Sequence, residues 1–301
     1  MHGFLEADMG EKPALQPTAA IGPALRAIAR SILANARAVM TDPERTDQDA
    51  VHNFRRSMKQ WRSLMRLLEP FIPDAVRLRQ EARDHARSLG RARDGQSALN
   101  AFDDLGKTLV LSERTTATIR GRIDAIRGTE EQAVLTPELR AAIITWLEAA
   151  AAATEQWPLD PFDFRSIAAR LAVGYREARR RIPSDWTAAS AEELHQLRQR
   201  VVDHRYQMEL VEPLWPRHGR MWTEEAERLR DRLGRCQDLE ILKGLTGPHQ
   251  PLAHWRSRLA PACAARTNEL AQRASRIALR LFAERPKAFR ARLETLWDHG
   301  K

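Results

Sequence analysis

The chain is expected to be all-α, and three observations carry that expectation. Apolar residues recur at three- and four-residue spacing along almost the whole length. Strand formers are scarce: there are nine Val and two Tyr in 301 residues, and no alternating segment is closed by a hairpin turn. Pro70, Pro73, Pro137, Pro158, Pro161, Pro183, Pro213 and Pro216 fall between the periodic segments and punctuate them.

Taken in order, residues 1–20 are polar, broken by Pro13 and Pro17, and expected to be mobile. Helices are predicted over 22–40, 47–69, 75–92 and 107–127, then over 137–153, 163–182, 190–212, 219–243 and 252–284, with a short one after Pro286. On a helical wheel the second of these separates two stripes. Val51, Phe54, Met58, Trp61, Met65 and Leu68 share an arc of about 100°, the face expected to enter a core. His52, Arg55, Lys59, Arg62 and Arg66 share an adjacent arc of about 80°, a line of cations roughly 21 Å long with no carboxylate before Glu69. Like charges at i,i+4 repel, and a solvated helix usually mixes signs. In the third helix Arg83, Arg87 and Arg91 stand opposite Leu78, Ala82, Ala86 and Leu89. The helix over 163–182 carries Arg170, Arg176, Arg179, Arg180 and Arg181, and Ser190 with Glu193 reads as a capping box for the next.

The composition sets the outer limits. Hydrophobic residues make up 43% of the chain, enough for a sizeable core, and no apolar stretch is long enough to cross a bilayer. No secretory signal pattern opens the chain. Two cysteines, Cys236 and Cys263, exclude a disulfide scaffold and a four-cysteine zinc site and make a reducing cytoplasm the default. The net charge is +9, with 43 Arg against 6 Lys. Arg carries a flat fork suited to phosphate oxygens, which suggests an anionic partner, although a GC-rich genome would also raise Arg.

An internal repeat organises the chain. Residues 51–70 align without gaps to 194–213, with seven identities in twenty positions, among them His52/His195, Arg55/Arg198 and Arg62/Arg205. LGRARD at 89–94 recurs as LGRCQD at 233–238, so the offset shifts only from 143 to 144. The expected units are a first repeat over about 21–130 and a second over about 137–301. The copies differ: Val202 stands at the Lys59 position, Glu209 at the Arg66 position, and Glu227 and Asp231 at the Arg83 and Arg87 positions. His52 and His195 each open a cationic arc near the positive end of a helix dipole. That place favours an anion, with a hydrogen-bonded structural role as the alternative. No second ligand at i+4 spacing supports a metal.

In sequence order His52, Arg55, Lys59 and Arg62, then LGRARD, then the same order from His195, this chain resembles the CHAD family, the conserved histidine α-helical domain. The likeness spans roughly 22–298 and includes the ending AERPKAFRARLETLW. The resemblance implies two four-helix bundles related by a pseudo-twofold axis, with a basic central cavity that binds inorganic polyphosphate, and association with polyphosphate granules. It implies that His52, Arg55, Lys59, Arg62, Arg83, Arg87, His195, Arg198 and Arg205 face the polyanion, with Arg66, Arg176, Arg179 and Lys287 as additions. Asp94 and Asp238 match the family's Asp after an LG turn, where a structural role is expected. Val202 and Asp203 depart from the family's basic pattern, so the second half is expected to bind more weakly. The stand-alone form is expected, because only about twenty residues precede the first helix and the family's fused triphosphate-tunnel hydrolase needs far more.

The leading expectation is therefore a non-catalytic polyanion binder needing no cofactor and no metal. Nucleic acid is the weaker alternative, because base-stacking platforms are not evident. A phosphate-processing enzyme would need acidic Mg²⁺ ligands beside the phosphate, and the first cationic arc has none. A scaffold for an acidic protein is the last alternative.

Overall fold

The computed structural model describes residues 14–89, 94–106, 108–131 and 135–300, and no strand occurs among them. The described helices are α1 (Ile21–Thr41), α2 (Asp47–Leu68), α3 (Ala75–Ser88), α4 (Asp94–Leu105), α5 (Glu113–Glu131), α6 (Pro137–Thr154), α7 (Phe164–Arg180), α8 (Ala191–Glu209), α9 (Pro216–Gly244), α10 (Arg256–Leu281) and α11 (Pro286–His299). Single 3-10 turns lie at Glu212–Leu214 and Ala253–Trp255.

Side chains fix where several of these helices begin. The Thr46 hydroxyl accepts from the Asp49 N–H at the start of α2, and Thr136 does the same for Leu139 ahead of Pro137 at the start of α6. Asp163 accepts from Ser166 N–H at α7. Ser190 and Glu193 form the expected capping box at α8, each bonding the other's backbone N–H.

Two departures from the periodicity matter for the site. Helix α4 lies in a stretch where no helix is predicted, because it is short, opens on Asp94–Gly95 and follows the LGRARD segment. Gly90 to Arg93 of that segment, including Arg91, lie outside the described residues. In the second copy LGRCQD is not a turn: Leu233 to Asp238 continue through the middle of α9. Gly234 of that segment faces Arg198 of α8, whose Nε would lie 3.4 Å from a Cβ there.

The helices pair as α1 with α2, α2 with α3, α7 with α8, α8 with α9, α9 with α10, and α11 with α7. Helix α6, placed in the second repeat by sequence, packs on α1, and α4 of the first repeat packs on α9 as well as on α5. The two long central helices α2 and α8 meet directly, where Ser63 Oγ donates to Asp203 O at 2.9 Å and Gln207 Nε2 donates to Ser63 O at 3.4 Å. The expected apolar stripe of α2 is in the core: Phe54, Met58, Trp61, Met65 and Leu68 are buried, and Val51 is half-buried. Trp61 meets Trp157 with ring centroids 5.9 Å apart. The segment expected to be loose up to residue 20 is tied down earlier. Leu15 is fully buried and its N–H donates to Leu210 O at 2.8 Å, while residues 1–13 lie outside the described ones.

Close approach sets the seat of α5. A Cβ on Gly95 would stand 2.8 Å from the backbone N and Cα of Arg127. Backbone cannot swing aside, so Gly95→Ala is expected to cost about 1–3 kcal/mol through overpacking. A urea midpoint lowered at constant slope is the check; an unchanged midpoint would mean α5 shifts freely.

Candidate anion-binding site

Helices α2, α8 and α9, with contributions from α5 and α10, line a half-open cavity of about 1240 Å³. Among the described residues, ten Arg and Lys side chains and His52 line it, against four carboxylates, Asp47, Glu227, Asp231 and Asp238. Helix α2 supplies His52, Arg55, Arg56 and Lys59, helix α8 supplies Arg198, Arg205 and Tyr206, and helix α9 supplies Arg230, Arg232 and Arg235. Arg127 of α5 and Arg273 of α10 complete the cations.

Part of the lining charge is neutralised within the fold. Arg205, held in near burial, lies 3.0 Å from Glu209 and 3.3 Å from Glu227, with its guanidinium 5.2 Å from the Tyr206 ring centre. Burial pushes the Tyr206 hydroxyl above its ordinary range. Arg230 pairs with Glu227 at 3.1 Å and with Asp231, and Arg235 pairs with Asp104. On α2 the lining residues of the wall include one acidic side chain, Asp47, at the helix start, where it pairs with Arg140. Arg55 Nε is fixed by Ala86 O of α3 at 3.1 Å.

Five of the thirteen residues singled out from sequence thus meet in one place: His52, Arg55, Lys59, Arg198 and Arg205. Arg62 and Arg66 lie outside that lining, further along the α2 stripe where it meets α8. Burial draws both guanidiniums below their ordinary range, and Asp203 opposes that shift. Arg83 and Arg87 are exposed on α3, Arg176 and Arg179 on α7, and Lys287 on α11, all outside the cavity lining.

His195 stands apart from its repeat partner. It lines a separate cavity of about 260 Å³, with Gln237, Glu240 and Lys243. Gln199 Nε2 lies 2.7 Å from its Nε2, and Gln237 Oε1 lies against its Nδ1. An amide nitrogen only donates and an amide oxygen only accepts, an arrangement that suits the tautomer with its proton on Nδ1. Both ring nitrogens are then occupied within the α8–α9 pair.

The sequence reading missed Arg56, Arg127, Arg230, Arg232, Arg235 and Arg273 as lining residues. Arg235 carried a signal, since it occupies the repeat position of Arg91 in a basic row; the others are brought in by packing of separate helices. Among the described residues no group of three or more His, Cys, Asp or Glu is placed to hold a metal ion, and no helix is long and apolar enough to cross a membrane.

Comparison with known proteins bears on this arrangement. No curated protein matches the chain. The crystal structure of the CHAD domain from the plant Ricinus communis is similar over 94% of this chain and 95% of its own, with a TM-score of 0.50 and 23% identity, a likeness of fold. The family model for the CHAD domain matches residues 23–247, from the start of α1 to just past the end of α9, and so takes in the cationic walls from α2, α8 and α9. By that match the chain belongs to the CHAD domain family.

Proposed function

We propose that the protein binds inorganic polyphosphate, without turning it over, in the cavity between α2, α8 and α9. The observation that carries this reading is the excess of ten Arg and Lys over four carboxylates around one half-open cavity of about 1240 Å³. A linear polyanion entering it exchanges its counterions for guanidinium forks, a gain that depends on salt. On this reading two four-helix bundles related by a pseudo-twofold axis flank the cavity, and the protein associates with polyphosphate granules in the cytoplasm. Three of the four lining carboxylates are paired with guanidiniums, Asp47 with Arg140, Glu227 with Arg205 and Arg230, and Asp231 with Arg230, which suits a binder rather than a hydrolase.

The test is binding of labelled long-chain polyphosphate across a salt series. With about six phosphates engaged, the log–log slope is expected near −4, taking the single-strand coefficient as a guide. Arg55→Gln/Arg198→Gln removes one guanidinium from each wall and is expected to weaken binding about 100-fold, roughly 1.4 kcal/mol per contact. The helical spectrum should not change. No binding by folded wild type at low salt, or displacement by RNA at equal phosphate concentration, would overturn the reading.

A further inference from the structure

Beyond the cavity, the cationic stripe of α2 runs into a second cluster of guanidiniums, and one carboxylate sits inside it. Asp203 Oδ2 lies 2.9 Å from Arg66 Nε and 3.4 Å from Arg200 Nη1. Burial pushes the Asp203 carboxyl above its ordinary range, and the charges of Arg66, Arg200, Arg62 and Arg79 act against that shift, while Arg83 acts on Arg62. Glu69 and Glu177 pair with Arg79 at 2.6 Å and Arg200 at 3.3 Å from the solvent side. Their side chains are 39% and 44% exposed against 19% for Asp203, so only Asp203 stands at the centre.

Arg62, Arg66, Arg79, Arg83 and Arg200 thus outnumber the three carboxylates among them. Arg62 has no carboxylate within ion-pair distance among the described residues, and its buried Nε has no hydrogen-bond partner there. The backbone of Asp203 is pinned by Ser63 Oγ at 2.9 Å, which aims the side chain from α8 across at α2. In the other copy the matching position is Gln60, so the carboxylate comes from one half alone. A partly buried anion ringed by arginines is the environment that guanidiniums otherwise create for phosphate oxygens.

We propose that Asp203 is a built-in counter-anion that fills an anion site formed by Arg62, Arg66, Arg79, Arg83 and Arg200, and that it confines a bound polyanion to the cavity side of the α2–α8 contact. The confinement rests on the polyphosphate reading; the occupied anion site does not. The chemistry of the site is that of a small oxyanion, and inorganic pyrophosphate is the probe.

The experiment measures thermal stabilisation by pyrophosphate in an Arg55→Glu/Arg198→Glu background, which removes the cavity's own attraction. Adding Asp203→Asn is expected to give a saturable rise in melting temperature, at least about 3 °C beyond the background alone. Equal responses with and without Asp203→Asn would overturn the proposal. Asp203→Ser serves as a second variant, and folding only in the presence of pyrophosphate counts as the expected result. Failure of both variants to fold even with pyrophosphate would show a structural counter-charge that no free anion replaces, and would also overturn it. On otherwise wild-type protein, Asp203→Asn should steepen the polyphosphate salt slope by roughly 1–2 as two or three arginines become available. Wild type that ignores polyphosphate would sink the functional reading, while the pyrophosphate arm still decides the role of Asp203.

Discussion

Asp104→Ala is expected to lower stability by about 3–5 kcal/mol, the usual cost of removing one partner from a buried ion pair. Asp104 ends α4, almost buried, and its carboxylate joins two other helices. Arg266 of α10 donates to it through Nε at 2.9 Å and through a second nitrogen at 3.1 Å, and Arg235 of α9 closes the triad. Burial works against ionisation of Asp104, but the hydrogen bonds and charge of Arg266 and Arg235 outweigh it and hold the carboxyl below its ordinary range. A carboxyl lowered on folding stabilises above its unfolded pKa, and that share fades as pH falls below about 3.8. Alanine takes the fork partner from the guanidinium of Arg266, 13% exposed, which keeps Glu269 beside it. The check is a urea midpoint that drops at unchanged slope. A loss below about 1 kcal/mol would mean the triad behaves as an exposed ion pair.

Acid is expected to weaken the fold through His204, well above the pH at which carboxylates titrate. Its ring is 1% exposed, packed between Tyr175, Phe282, Phe289 and Trp222. Trp222 Nε1–H donates to its Nε2 at 2.8 Å, so that nitrogen must stay unprotonated. Burial, helped by Arg292, lowers its pKa from 6.5 to about 3. The unfolded chain therefore binds a proton that the folded one refuses. Stability from this group is complete above pH 6.5 and falls by about 1.4 kcal/mol per pH unit between 6.5 and about 3. Near pH 5 the loss should reach about 2 kcal/mol. His85 and His218 are also lowered by burial and add to the slope, so the decisive quantity is the difference from His204→Phe. That variant leaves the Trp222 N–H unpaired, costing about 1–3 kcal/mol at pH 7, but should be flatter between pH 7 and 5. Parallel pH profiles would show that the folded ring takes up its proton as readily as the unfolded one, and would overturn the prediction.

How much of the site could be read in advance follows from where each cation comes from. His52, Arg55 and Lys59 lie within one helix, and a 100° wheel is enough to put them on one side. Arg198 and Arg205 were reachable because the repeat copies that wheel. Arg127, Arg230 and Arg273 arrive on three other helices, and no local period relates them to α2. The wheel also overreached: Arg62 and Arg66 share the arc of Arg55, yet the stripe passes from the cavity to the α8 contact before reaching them. His195 matches His52 in sequence, but Gln199 and Gln237 take up both its ring nitrogens. Helix α4 went unseen because twelve residues opening on Asp-Gly carry too little period to stand out.

The sequence by itself determined the helical class, the buried stripe of α2, the capping box of α8 and the duplication that links His52–Arg62 to His195–Arg205. These are local or self-similar features, set by side-chain period and by hydrogen bonds spanning three residues. Only the tertiary structure decided which cations face a shared space and which are cancelled. Asp203 was legible as a departure from a basic pattern, but not as the partner of Arg66 on another helix, 137 positions earlier. Charge acts through distance in space, and the α2–α8 contact that brings that carboxylate within 2.9 Å of its arginine exists only once the core has closed.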